Sequence, residues 1–260
     1  MKERKVIVYR DELNDEFSEA QITPKKIGDD YVYLHTSLWK RFTHFFWYRV
    51  VATPTAVLYL KGSFHHRIVN RKVLKPYRKT GYFLYGNHTQ DIGGAFIPSM
   101  VTFPKTAYVI VHPNNVSMPF LGRVTASMGA LPLPDTMRAN RNFVQAVETR
   151  FREGNAIVIY PEAHIWPYYT KIRPFPDASF SYPLRLNSPV FCFTDTYQKR
   201  KFGKKPRIVT YVDGPFFPNS DLPLAARRAD LRDRVYQTMC ERSKRSEVEY
   251  IKYRKEGEAE

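Results

Sequence analysis

The sequence predicts an α/β layered domain, a mostly buried mixed sheet flanked by helices, preceded by an amphipathic N-terminal helical segment. Three observations carry this. From residue 81 onward, short apolar runs alternate with segments of helical period, the pattern of strands connected by helices. Hydrophobic residues are 43 % and aromatics 15 % of a 260-residue chain, enough for one large core and too rich for disorder. Residues 38–60 join apolar residues at helical spacing to a set of bases. The organisation read from this is residues 1–80, N-terminal strands and a basic aromatic segment, followed by an α/β core over 81–260, the two forming one continuous globular unit.

Taken in order, residues 4–10 and 31–34 read as short strands. In 38–60, Leu38, Trp39, Phe42, Phe45, Phe46 and Val50 recur at helical spacing beside Lys40, Arg41 and His44. Pro54 is expected to break or kink that helix. Four bases make the stretch a poor membrane span but a good interfacial helix, with aromatics for the acyl boundary and bases for anionic headgroups. The alternative is a core helix with a solvated basic face. Residues 81–86 read as a strand, 92–103 as a helix, 106–112 as a strand and 119–130 as a short helix and turn. Asp135 is expected to cap a helix whose stripe is Phe143, Val144, Val147 and Phe151, ended by Gly154. Residues 156–160, 190–194 and 207–214 are further strands, and a charged helix from about Leu222 to Lys255 closes the domain.

Lysine and arginine number 41 against 25 acids, a formal charge of +16, which calls for a polyanionic partner. No acid lies between Asp30 and Asp91, while ten bases do. The positive field is thus concentrated ahead of residue 88. Two cysteines without metal-ligand spacing exclude a disulfide scaffold or zinc module and suit a reducing compartment. The N-terminus shows no apolar run of signal-peptide length, so the expected location is the cytosol or the cytosolic face of a membrane.

Two segments could carry chemistry. In YGNHTQDIGGAF, His88 follows a buried strand and opens a helix, the position where ligand sites gather in α/β sheets. Histidine is the side chain suited to proton transfer near neutral pH. Asp91, three residues on, can share a helix face with it; the pair is also readable as a helix start with Asp91 complementing the dipole. In AIVIYPEAHIWPYYTKIRPF, Glu162 stands at a strand end, placed to accept hydrogen bonds or hold a hydroxyl. Lys171 and Arg173 could meet a phosphate, or could be ordinary solvated charges of a surface loop.

In this order and spacing the segments resemble the lysophosphatidic acid acyltransferase (1-acylglycerol-3-phosphate O-acyltransferase) family over about residues 38–214. Asn87-His88 match its first motif, N-H followed by four residues and Asp. Tyr160-Pro161-Glu162 match the first half of its F-P-E-G-T-R motif. SPVFCF (188–193) resembles its Pro-containing apolar strand, and GRVTASMGALPLPDTMR matches loosely its Gly-rich turn with a following base, Arg138 or Arg141. The departures are Gly93 where the family has Asp, and Ala163-His164-Ile165 in place of Gly-Thr-Arg.

The resemblance implies transfer of an acyl group from acyl-CoA or acyl carrier protein, a co-substrate, to the free hydroxyl of a lysophospholipid. His88 is then the general base and Asp91 its orienting acid. Glu162 holds the acceptor, with Arg138, Lys171 and Arg173 for its phosphate. It implies no cofactor and no metal, and a peripheral place on the cytoplasmic side of the cell membrane, held by anionic lipid. The missing Asp and Arg motivate a rival, a weakened relative that binds lipid without turnover. A basic nucleic-acid binder is the other rival; it lacks any RRM, KH, zinc-finger or helix-turn-helix signature, and no nucleic acid is expected.

Overall fold

The structure is a computed structural model and describes residues 5–17, 23–35, 37–118 and 121–257. The chain opens on β1 (Lys5–Tyr9). A continuous helical stretch follows, made of α1 (Leu38–Phe45), a π-helical turn (Phe46–Ala52) and α2 (Thr53–Phe64). Then come β2 (Arg67–Val69), β3 (Tyr82–Gly86), α3 (Asp91–Thr102), β4 (Ala107–Val111), α4 (Asn114–Ser117), α5 (Leu121–Ser127), β5 (Ala130–Pro132), α6 (Met137–Arg152) and β6 (Ala156–Ile159). The last elements are α7 (Ser181–Arg185), β7 (Val190–Gln198), β8 (Arg207–Phe216), α8 (Leu224–Ser243) and β9 (Ile251–Lys255).

Seven strands form one sheet in the order β2-β8-β7-β3-β6-β4-β5, parallel throughout except for the antiparallel β7–β8 pair. Strand β3 lies at the centre and is buried at every position, as its unbroken apolar run requires of a strand covered on both faces. Its side chains alternate between the two faces. Phe83 and Tyr85 join Phe143 and Val147 of α6 and Leu231, Val235 and Met239 of α8. Tyr82 and Leu84 join Leu60 and Phe64 of α2 and Ile97 and Val101 of α3. The α/β layering, the mixed sheet and the N-terminal helical segment are those the sequence predicts.

Pro54 does not break the helix. It stands in the first turn of α2, and the preceding turn widens to π geometry, the Thr53 amide donating to the carbonyl of Tyr48. A π turn absorbs the hydrogen bond that proline cannot make. Helix α1 has no buried residue, and Leu38, Trp39, Phe42, Phe45 and Phe46 are exposed. A core helix is therefore not what this segment builds in its first half. No helix among the described residues is long and apolar enough to cross a membrane.

Three expectations need correcting. Residues 31–34 form no strand; they run as irregular chain over the core, Tyr33 donating from its hydroxyl to Pro132 O at 2.9 Å. The cap of α6 is Thr136, whose hydroxyl accepts from the Ala139 amide, whereas Asp135 accepts from the amide of Ile27 at 2.5 Å. The C-terminal helix ends at Ser243, and residues 251–255 pair parallel with β1 instead. In the 119–130 segment the helix begins at Leu121, and Pro119 and Phe120 lie outside the described residues, as does Arg4 in the first strand.

Candidate active site

His88 stands just beyond the carboxyl end of β3, where the chain leaves the sheet. Parallel pairing of β3 with β7 stops at Gly86–Phe193, and the side chain of Asn87 continues it. Its Nδ2 donates to the Asp195 carbonyl at 3.1 Å, and its Oδ1 accepts from the Asp195 amide at 2.8 Å. Gly86 is required by the same junction, since a Cβ there would lie 2.1 Å from the ring of Phe193.

The loop after β6 wraps the His88 backbone. Glu162, buried, accepts from the His88 amide through Oε2 and from the Arg173 amide through Oε1, both at 2.9 Å. The His88 carbonyl accepts from the Trp166 amide at 3.1 Å and the Thr89 carbonyl from the Tyr168 amide at 2.9 Å. The Tyr160 ring lies 4.3 Å from the imidazole centroid, tilted by 16°, with its hydroxyl donating to Gly94 O at 2.5 Å.

The imidazole is partly buried, and its Nδ1 lies 3.3 Å from the Ala163 carbonyl. A carbonyl can only accept, so Nδ1 carries the proton and Nε2 keeps its lone pair. Among the described residues Nε2 has no hydrogen-bond partner. Beside it is Gly94, where a Cβ would sit 3.6 Å from Nε2. Burial pulls the imidazole pKa down to about 4, against the raising pull of the Ala163 carbonyl and Glu16. The ring is thus neutral near pH 7.

The contact expected from Asp91 on Nδ1 is made by Ala163 O. Asp91 is exposed at the first position of α3, and its charge is felt by Tyr59, Tyr168 and Tyr253. Position 93 could not hold a carboxylate in this arrangement. A Cβ on Gly93 would fall 2.9 Å from the Cβ of Gln90, which is buried and donates to the Tyr197 hydroxyl at 3.0 Å. Ala163 has a φ of +62°, a left-handed backbone that costs an L-residue roughly 1–2 kcal/mol. That explains why glycine suits the position in the motif it resembles.

Glu162 and Arg173 are brought together, but as braces and not as open ligands. Arg173 is 1 % exposed; its guanidinium lies 4.9 Å over the Trp166 ring, donates to the carbonyls of Glu12 and His164, and pairs with Glu162 at 3.6 Å. Burial of this pair requires such satisfaction. Lys171 is exposed on the same loop. Arg138 and Arg141 are exposed on α6, which starts from β5 at the same sheet edge but three strands from β3, roughly 14 Å at the usual strand spacing. Tyr160 and the Ala163 carbonyl are the parts sequence reading missed. Tyr160 was within reach through its place in the Tyr-Pro-Glu run; a carbonyl's direction has no sequence signal.

No protein-family model matches the chain, and no curated protein matches it in sequence. Among solved structures it is similar to the 1-acyl-sn-glycerophosphate (LPA) acyltransferase PlsC from Thermotoga maritima. The TM-score is 0.56 and the identity 14 %, over 84 % of this chain and 87 % of that one. At that identity what is shared is the fold.

Proposed function

We propose that the protein is a glycerolipid acyltransferase that moves an acyl group from a thioester, acyl-CoA or acyl carrier protein, to the free hydroxyl of a lysophospholipid such as 1-acylglycerol-3-phosphate. One observation carries this reading: a neutral His88 with Nδ1–H held by Ala163 O and Nε2 open beside Gly94, at the sheet edge of a fold shared with an enzyme of that activity. The acceptor hydroxyl oxygen attacks the thioester carbonyl while its proton passes to Nε2. The tetrahedral intermediate collapses, the C–S bond breaks, and His88 returns the proton to the departing thiolate. The amino end of α3, whose Gln90 makes no side-chain cap, offers N–H groups for the oxyanion. Lys171, exposed on the loop that wraps His88, is the cation assigned to the acceptor phosphate, with Arg138 and Arg141 farther along the edge. The exposed apolar residues of α1 hold the protein on an anionic membrane surface, peripherally and on the cytoplasmic side.

The test is acyl transfer by purified protein, with labelled acyl-CoA and acyl carrier protein donors against a panel of lysophospholipids. Product with wild type and none with His88→Ala is expected; equal turnover in both would remove His88 from the chemistry. A second reading, lipid binding without turnover, is favoured by the carbonyl in place of a carboxylate on Nδ1, and predicts binding but no product with any pair. For the membrane, Trp39→Ala/Phe42→Ala/Phe46→Ala should stay in the supernatant under conditions where wild type sediments with anionic vesicles. Co-sedimentation of the triple variant would refute the role of α1.

A further inference from the structure

A cavity of about 530 Å³ opens at the amino ends of β4 and β5, the opposite end of the sheet from His88. Its wall gathers bases from three separate parts of the chain: His35, then Lys40, Arg41 and His44 of α1, and Arg150 in the last turn of α6. On α1 these bases occupy the side opposite Trp39, Phe42 and Phe46, given 100° per residue, so the helix turns its apolar face outward and its basic face to the cavity.

Glu153 is the carboxylate in this wall, and Arg150 Nη1 already binds it at 2.9 Å. Arg150 is held in place by stacking over Tyr108, 4.8 Å from the ring centroid. Its Nε is buried and has no hydrogen-bond partner among the described residues. His44 lies parallel to the same Tyr108 ring, and its Nδ1 sits 2.6 Å from Ser127 O. Burial first, and then neighbouring cations including Arg150, hold His35 and His44 below the usual histidine value. Convergent cations with one satisfied acid repel one another unless an anion sits among them, and an ammonium beside guanidinium forks suits phosphate oxygens.

We infer that this cavity is a phosphate-binding site separate from the catalytic edge, formed by Lys40, Arg41 and Arg150 with the Tyr108 ring as its wall. The shared chemistry is a phosphate monoester, presented either as a lipid headgroup reaching past α1 or as a soluble phosphorylated compound. The full-length protein would be titrated calorimetrically with sn-glycerol 3-phosphate and with a water-soluble short-chain phosphatidate. Wild type, Lys40→Gln/Arg41→Gln, Arg150→Gln and Lys204→Gln would be compared. The Lys40/Arg41 residues are exposed, so their replacement tests the site even if Arg150→Gln disturbs packing. Expected is a loss of affinity of about tenfold or more in the Lys40/Arg41 variant, in line with one lost charged hydrogen bond, and none in Lys204→Gln, an exposed base of neither site. Lys40/Arg41-dependent binding of phosphatidate alone would assign the site to a lipid headgroup, and Lys40/Arg41-dependent binding of both to a phosphorylated compound in general. No binding of either, unchanged affinity in the Lys40/Arg41 variant, or an equal loss in Lys204→Gln would overturn the inference.

Discussion

A histidine whose Nδ1–H meets a carbonyl is fixed in tautomer and orientation but gains no negative charge to stabilise its protonated form. His88 therefore stays neutral well below the ordinary imidazole range, its pKa drawn down to about 4 chiefly by burial. Protonation would remove the Nε2 lone pair, so under the proposed mechanism activity falls as pH falls through that value. The acid limb of kcat/KM, which reports the free enzyme, should lie near pH 4, leaving the profile flat between about 5 and 8. A limb near 6.5 would mean that a carboxylate reaches the ring after all. Gly94 offers a test that separates stability from chemistry. Alanine there removes the helix cost of glycine, worth up to about 1 kcal/mol, yet sets a methyl 3.6 Å from Nε2, where the acceptor oxygen approaches in the proposed reaction. Gly94→Ala should raise the urea midpoint while lowering kcat/KM roughly tenfold or more, the scale of loss from small misplacements at a reacting centre. His88 and Glu162 were legible because each sits in a short local pattern at a strand end. What fixes the His88 ring was not, because Ala163 acts through its backbone, and Arg173 looked like a phosphate ligand because burial is invisible in a loop rich in charge.

At the scale of elements, the first and last strands meet on the loop that holds His88. Strands β1 and β9 pair in parallel over Lys5–Tyr9 and Ile251–Lys255. The segment after β1 grips residues 164–166: Trp166 Nε1 donates to Asp15 O at 2.7 Å, the Ile165 amide to Glu16 Oε1 at 3.0 Å, and the Phe17 amide to Ile165 O at 3.2 Å. From the other end, Tyr253 stacks 5.1 Å from Trp166 and donates to Pro167 O at 2.9 Å. The Trp166 and Tyr168 amides are in turn bonded to the carbonyls of His88 and Thr89. Removing residues 1–17 should therefore speed hydrogen exchange at the Trp166 and Tyr168 amides, while amides of β3 and β6 keep their protection. Unchanged exchange at those two amides would show that the loop needs no such clamp. The central strands were readable because a buried parallel strand is an unbroken apolar run. The β1–β9 pair was not, since its partners lie some 246 positions apart and a terminal strand of mixed polarity resembles the end of a charged helix. The failure at 31–34 has the same root: aromatic alternation there serves packing on the core without a ladder.

Across the whole molecule, one buried acid works against the histidines. Asp195 lies in β7 between β3 and β8, 3 % exposed, and burial raises its carboxyl to about 7 despite the hydrogen bond from Thr210. Thr210 joins it to His66, whose Nε2 lies 2.7 Å from the threonine oxygen and whose pKa burial lowers to about 4. Asp195 has a folded value above its unfolded one of 3.8, so between about pH 4 and 7 the folded state binds more protons. Its contribution is therefore present at low pH and lost as pH rises through 7. His66 and His88 have folded values below 6.5; the unfolded state binds more protons between about 4 and 6.5, and their effect on stability grows with pH over that window. The opposing slopes partly cancel in the wild-type curve, so the informative quantity is a difference. Asparagine at 195 keeps an oxygen to accept from Thr210 but cannot ionise. In urea unfolding at about pH 3, where Asp195 is protonated in both the folded and the unfolded chain, Asp195→Asn should match wild type closely. At pH 8, where wild type carries a buried charge, the variant should be the more stable by roughly 1–4 kcal/mol, the upper figure being three pKa units at about 1.4 kcal/mol each. The same gain at both pH values would mean that Asp195 is neutral throughout, and a loss at pH 8 would mean that its charge is used in the fold by a cation close to it.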